Sequence, residues 1–191
     1  MPKFKLSFSK KDNSHPKVKV ALREWLVSNC GRESILDVYG ANGLMYESVW
    51  KDKVKQYIAS SGESISFLNG QGSFDQQLFD IDPYASPYEA IKVICSKSTK
   101  NKIGIVCTDG CLRRVCMMRT GIPEFIQAQT GWPKKDLSLM AAIYHRYPEY
   151  LRYLLKCVIG DYRIDKLVIK YGQGTWKQAT VYFAACLSRS A

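Results

Sequence analysis

The sequence predicts an α/β fold: a mostly parallel seven-strand sheet, antiparallel at its last strand, packed between helices. Three observations predict it. Short β-branched or aromatic runs end at glycine, serine or asparagine and alternate with helical patterns, the rhythm of strand–helix–strand units. One run, Ile103 to Thr108 (IGIVCT), is apolar at consecutive positions, as a strand covered on both faces must be. Two β-rich runs near the C-terminus, Lys166 to Tyr171 and Thr180 to Leu187, flank a loop containing Gly172 and Gly174 and read as a hairpin on one sheet edge.

The elements follow in order. Residues 1–15 form a polar, basic leader, and 16–191 are expected to form one domain, because no linker or repeat divides them. Pro16 to Cys30 carries Val20, Leu22, Trp25 and Leu26 near helical spacing and stops at Gly31. Ser34 to Tyr39 (SILDVY) is a strand closed by Gly40, and Leu44 to Trp50 reads as a helix just after Gly43. Val54–Ala59, Ser64–Leu68 and Gln77–Ile81 read as three further strands, and Pro87 to Ser96 as a helix. Leu137 to Ile159 is helical with a break near Pro148.

Composition narrows the class. The chain of 191 residues is 46% hydrophobic and 24% charged, which excludes disordered and fibrous proteins and leaves room for one sizeable core. No apolar run reaches the roughly 18 residues a membrane helix needs, and no apolar stretch follows the basic N-terminus, so a cytoplasmic protein without membrane contact is expected. Seven cysteines, odd in number and set among apolar residues, read as reduced core filler. Cys107, Cys111 and Cys116 lack CxxC spacing and a nearby histidine, so no metal site is expected. The net charge of +11 is unevenly spread: residues 1–33 carry +5, 34–96 carry −4 and 97–191 carry +10. Basic flanks around an acidic centre suggest a polyanion gripped by the flanks, although a merely solvated basic surface has the same composition.

Ligands of open α/β sheets bind beyond the carboxyl ends of the strands, where glycine turns and helix N-termini leave free N–H groups. Two stretches fall there. "LDVYGANG" (Leu36 to Gly43) has an acid, an aromatic and a G-x-x-G turn, but neither the GxGxxG of dinucleotide sites nor the lysine of a P-loop. "DIDPYASPYEA" (Asp80 to Ala90) places two carboxylates and an Asp-Pro-aromatic turn at a strand end. A nucleobase amine is a poor nucleophile, so an enzyme that methylates it must accept its N–H bonds, hold it in line and stack on its ring. Asp82, Pro83 and Tyr84 are the residue types for that task.

The first stretch resembles motif I of class I S-adenosylmethionine-dependent methyltransferases, whose fold is a Rossmann-like three-layer sandwich. The second resembles the Asp-x-Asp-Pro-Phe/Tyr-Gly-Ser-Pro motif of the tRNA guanosine N2-dimethyltransferase family, through Asp80, Asp82, Pro83, Tyr84, Ser86 and Pro87, with Ala85 at the family's glycine. That family follows the motif with a helix, a strand and a Thr-Asp, as "IGIVCTDG" does here, so the resemblance spans about residues 34–110. It implies S-adenosylmethionine as cofactor and guanine N2 in RNA, tRNA-like, as the methyl acceptor. Asp82 would accept from the guanine amino group beside the Pro83 carbonyl, Tyr84 would stack, and Asp80 would orient the cofactor or raise the Asp82 pKa. Asp37, Tyr39, Gly40, Asn42 and Gly43 would cradle the methionine moiety, and Asn69 at the third strand's end would meet the adenine. The second strand ends "YIASSGES", so Ser60, Ser61 or Glu63 stands where such enzymes place a ribose-binding acid. Thr108 and Asp109 would line the wall beside the base, and Arg113, Arg114, Arg119, Lys134 and Lys135 would meet phosphate.

Simpler roles stand beside these. Asp80 and Asp82 can form a solvated turn with Ser86 as N-cap, and Tyr144, Tyr147, Tyr150 and Tyr153 can be a buried helix face. Two other functions remain open: a DNA adenine or cytosine amino-methyltransferase, and a catalytically reduced relative that binds nucleic acid or a partner.

Overall fold

The computed structural model describes residues 16–40, 46–60, 64–83, 86–172 and 180–189. Helix α1 (Pro16–Cys30) leads into strand β1 (Ser34–Asp37). A π-helical turn, Tyr46–Trp50, precedes β2 (Gln56–Ala59) and α2 (Ser64–Gly70). Then come β3 (Leu78–Ile81), α3 (Tyr88–Lys97), β4 (Lys102–Asp109), α4 (Leu112–Met118), α5 (Glu124–Thr130), α6 (Leu137–His145), α7 (Tyr147–Val158), β5 (Tyr162–Tyr171) and β6 (Val181–Arg189).

The strands form one sheet in the order β2-β1-β3-β4-β6-β5. β1 pairs in parallel with β2 and β3, and β3 with β4, while β6 runs antiparallel between β4 and β5. The sheet therefore has six strands among the described residues, not seven. The missing one is Ser64–Leu68, which folds as helix α2. In that segment Ile65 and Phe67 suggest period two, but only Leu68 is fully buried, and the chain must cross over β1 to carry β2 into the parallel β3. Lys97 secures the helix end by donating to the carbonyls of Leu68, Asn69 and Gln71 at 3.2, 2.7 and 2.7 Å.

Two cores sandwich the sheet. On one face Leu22, Leu26 and Cys30 form the buried stripe of α1, and they meet Ile35, Leu78, Val106, Ala184 and the Trp50 ring. Gly104 allows this approach, since a Cβ there would lie 2.8 Å from Leu78 Cδ2 and 2.9 Å from Leu26 Cδ1. On the other face Leu36, Phe79, Ile105 and Phe183 meet α3 and α7 through Ile91, Ile94, Leu151 and Leu154. Pro148 in the first turn of α7 marks the expected break, and Asp136 caps α6 by accepting from Leu139 N–H at 2.9 Å.

The cysteine reading needs correction at one pair. Cys30 at the end of α1 and Cys186 on β6 are disulfide-bonded across 156 residues, with Cα atoms 5.9 Å apart. Separation in sequence hides a contact that only the stacking of α1 on β6 creates. Cys95, Cys107, Cys111 and Cys116 are buried thiols, as core filler should be. Among the described residues no helix is long and apolar enough to cross a membrane, and no group of three His, Cys, Asp or Glu is arranged to hold a metal ion.

Candidate active site

β1, β3 and β4 end side by side at one rim. Asp37 lies in register with Asp80, and Val38 N–H donates to the Asp80 carbonyl at 2.9 Å, so the turn after β1 and the Asp80–Pro83 stretch are neighbours. Side chains alternate between the faces of a strand. Asp37, Asp80 and Asp82 consequently gather on the α1 face.

Helix α1 meets them with two cations spaced one turn apart. Arg23, 2% exposed, grips Asp80 with both ends of its fork: Nε donates to Oδ2 at 2.7 Å and Nη2 to Oδ1 at 2.6 Å. Trp50 Nε1 adds a third bond to Oδ2 at 3.0 Å. Lys19 Nζ donates to Asp82 Oδ2 at 2.6 Å, with Arg23 Nη2 3.8 Å from the same oxygen. Burial alone would raise the Asp82 carboxyl; Lys19, Arg23 and a bond from Thr108 outweigh it and hold it below the ordinary value. That corrects the expectation that Asp80 raises it: the cations lie closer than any like charge can act unopposed. Asp80 accepts from Arg23 and Trp50 through both of its oxygens.

Asp37 accepts from Tyr57 OH at 2.7 Å and from Tyr39 N–H at 3.3 Å. Burial, then the Asp80 charge, pushes its carboxyl up to about 7. The backbone of Gly40 packs directly on this pair, since a Cβ would stand 2.4 Å from the Asp37 carboxylate and 2.7 Å from the Tyr57 hydroxyl. Ser60 turns inward: its N–H donates to Asp37 O at 3.0 Å and its hydroxyl to the Val38 carbonyl.

Other expected site residues disperse. Asn42, Gly43, Ser61, Glu63 and Tyr84 lie outside the described residues. Asn69 ends no strand; it sits exposed near the end of α2. Pro83 is buried beyond β3, and Ser86 makes no cap, because α3 starts from Pro87 without a side-chain cap bond. Thr108 stays on the α1 face, whereas Asp109, the next residue, turns to the opposite face. There it is fully buried and accepts from Tyr88 OH at 2.5 Å, Tyr147 OH at 2.6 Å, and the N–H groups of Cys111 and Leu112 at 2.8 and 2.9 Å. It lines no base wall. Arg113 lies over the rings of Tyr144 and Tyr171, 4.5 and 4.9 Å from their centroids, while Arg114, Arg119, Lys134 and Lys135 are exposed.

Sequence reasoning missed Lys19, Arg23, Trp50 and Tyr57. A signal existed for the first two: Lys19, Arg23, Leu26 and Cys30 share one side of α1, and a cation in an apolar stripe requires a buried anion.

No family model matches the chain, and no curated protein does either. Solved structures do. TYW2 of M. jannaschii, solved in complex with AdoMet, is similar with a TM-score of 0.53 at 13% identity, over 97% of this chain and 80% of that one. A SAM-dependent methyltransferase from Archaeoglobus fulgidus is similar with a TM-score of 0.50 at 12% identity, over 94% and 97%. With the parallel β2-β1-β3-β4 order and the antiparallel β6 inserted before β5, these likenesses establish the Rossmann-like class I methyltransferase fold for this chain.

Proposed function

We propose that the chain is an S-adenosylmethionine-dependent methyltransferase acting on an exocyclic nucleobase amine, guanine N2 in RNA. The observation that carries this reading is the in-register pairing of Asp37 with Asp80, which sets the Gly40 turn beside Asp82 and Pro83 at the carboxyl rim of the sheet. The rim suits the amino-acid end of the cofactor, because Gly40 leaves no Cβ on the turn and Asp37 stands behind it with a carboxyl poised near neutrality. At the end of β2 the Ser60 hydroxyl donates to the Val38 carbonyl.

When bound, the cofactor supplies a methyl group already activated on a sulfonium. The Asp82 carboxylate and the Pro83 carbonyl accept the two amino N–H bonds and aim the nitrogen lone pair. Transfer of that methyl group to the amino nitrogen would release one amino proton. A carboxylate is a good hydrogen-bond acceptor but a weak base, so that proton goes on to water. Lys19 must first release Asp82, and its ammonium, 16% exposed at the helix edge, has water at hand to receive it.

The same contact favours a second reading: a reduced relative in which Lys19 and Arg23 hold Asp82 permanently and the fold only binds. Calorimetric titration with S-adenosylmethionine separates the two, and an absence of heat at high-micromolar cofactor leaves only the binding module. For the enzyme, tritium transfer to bulk tRNA exceeds transfer to duplex DNA. Asp82→Asn abolishes it while cofactor binding persists, and Lys19→Ala accelerates it. Undiminished transfer by Asp82→Asn removes the role given to that carboxylate.

A further inference from the structure

We propose that the outer side of α7 is a docking track for single-stranded nucleic acid, with a base-stacking plate and a phosphate pocket side by side. The plate is a cavity of about 300 Å³ where Trp132 and Tyr153 stack with centroids 5.7 Å apart and planes at 22°, and Tyr150 closes on Trp132 edge-on. Tyr153 is 47% exposed, a large aromatic surface left to water. The pocket is a cavity of about 390 Å³ lined by Arg152, Lys156 and Arg163. Arg152 and Lys156 stand one turn apart, exposed, with no ion pair among the described residues, whereas Arg146 is spent on Glu149.

One occupant fits both halves. Tyr153 and Lys156 are three residues apart on the helix, so their Cβ atoms lie about 5–6 Å apart, the reach from a stacked base to its own phosphate. An acidic peptide would use the cations but leave the flat Trp132–Tyr153 plate idle. The charge matches as well, since residues 97–191 carry +10. Helix α7 runs from the carboxyl rim, where the buried Tyr147 meets Asp109 at the end of β4, towards Tyr162 and Arg163 at the start of β5. The inference rests on the nucleic-acid substrate of the reading above and supplies that reading with a docking surface remote from the methyl-transfer residues.

The test is fluorescence anisotropy of a labelled oligouridylate of about twelve nucleotides with the full chain and no cofactor, so its failure is separate from failure of cofactor titration. Tyr153→Ala weakens binding about five-fold or more, and Tyr153→Phe retains it. Arg152→Ala with Lys156→Ala weakens binding about ten-fold and lowers the slope of log affinity against log salt by roughly 1.4. Circular dichroism checks that each variant folds. The proposal is overturned if the parent does not bind, if both folded variants bind like the parent, or if oligoglutamate displaces the RNA equally well.

Discussion

Two strand-end aspartates, Asp80 on β3 and Asp109 on β4, are equally buried and solved in opposite ways. Asp80 is neutralised by a formal cation, through the bidentate Arg23 fork and the Trp50 indole. Among the described residues no cation pairs with Asp109; two tyrosine hydroxyls and two backbone N–H groups donate to it. The first arrangement sits in a chain of charges that reaches the surface through Asp82 and Lys19, each under a fifth exposed. The second is closed on all sides, with Tyr88 and Tyr147 also 3.1 Å from each other. Burial alone therefore does not mark a working carboxylate. The α1 face holds exchangeable charge next to solvent, and the α3/α7 face holds a fixed network that anchors the start of α4.

The largest way to break the comparison is Arg23→Ala, which strands the Asp80 charge in the core. Urea unfolding should show a loss of about 3–5 kcal/mol, and adding Asp80→Asn should recover part of it. An Arg23→Ala loss below that of a surface pair would mean Asp80 is not ionised when paired. Tyr88→Phe should cost less, about 1.5–3 kcal/mol, because Tyr147 and the two N–H groups remain on Asp109. Combined with Tyr147→Phe, the loss should exceed the sum of the singles, since the second change empties the same oxygen.

The effect that tells the faces apart by pH belongs to Asp37. Its folded carboxyl titrates at about 7 against an ordinary value of 3.8. The folded state thus binds the proton more tightly, and the stability this contributes is fully present below about pH 4 and lost as pH rises to 7. Unfolding free energies from urea titrations across that window should fall with pH by no more than about 1.4 kcal/mol per unit, Asp37→Asn should flatten the slope, and Tyr88→Phe should leave it.

Much of this was legible before folding. Continuous apolar runs such as IGIVCT identify a doubly covered strand because a parallel sheet between helices has no polar face, and glycine after SILDVY marks a turn because the packed rim has no room for a Cβ. The Asp80–Pro83 stretch was recognisable as a strand end, and β3 does end there. The helix α2 was not, since Ile65, Phe67 and Leu68 in so short a segment satisfy either period until the crossover demands a helix. Asp109 was misread for a related reason: adjacency in "TD" says nothing about which face each residue takes, and the pleat sends Thr108 and Asp109 apart.

By itself the sequence determined the layered α/β plan, the parallel strands and the acidic turns at their ends, because periodicity and turn chemistry are local properties written in consecutive residues. Only the tertiary structure decided that Lys19 and Arg23 reach Asp82 and Asp80 across 63 and 57 positions, that Cys30 meets Cys186, and that Asp109 turns inward to tyrosines. Those are pairings between distant segments. Their partners are fixed by which helix covers which face of the sheet, and no local pattern records that choice.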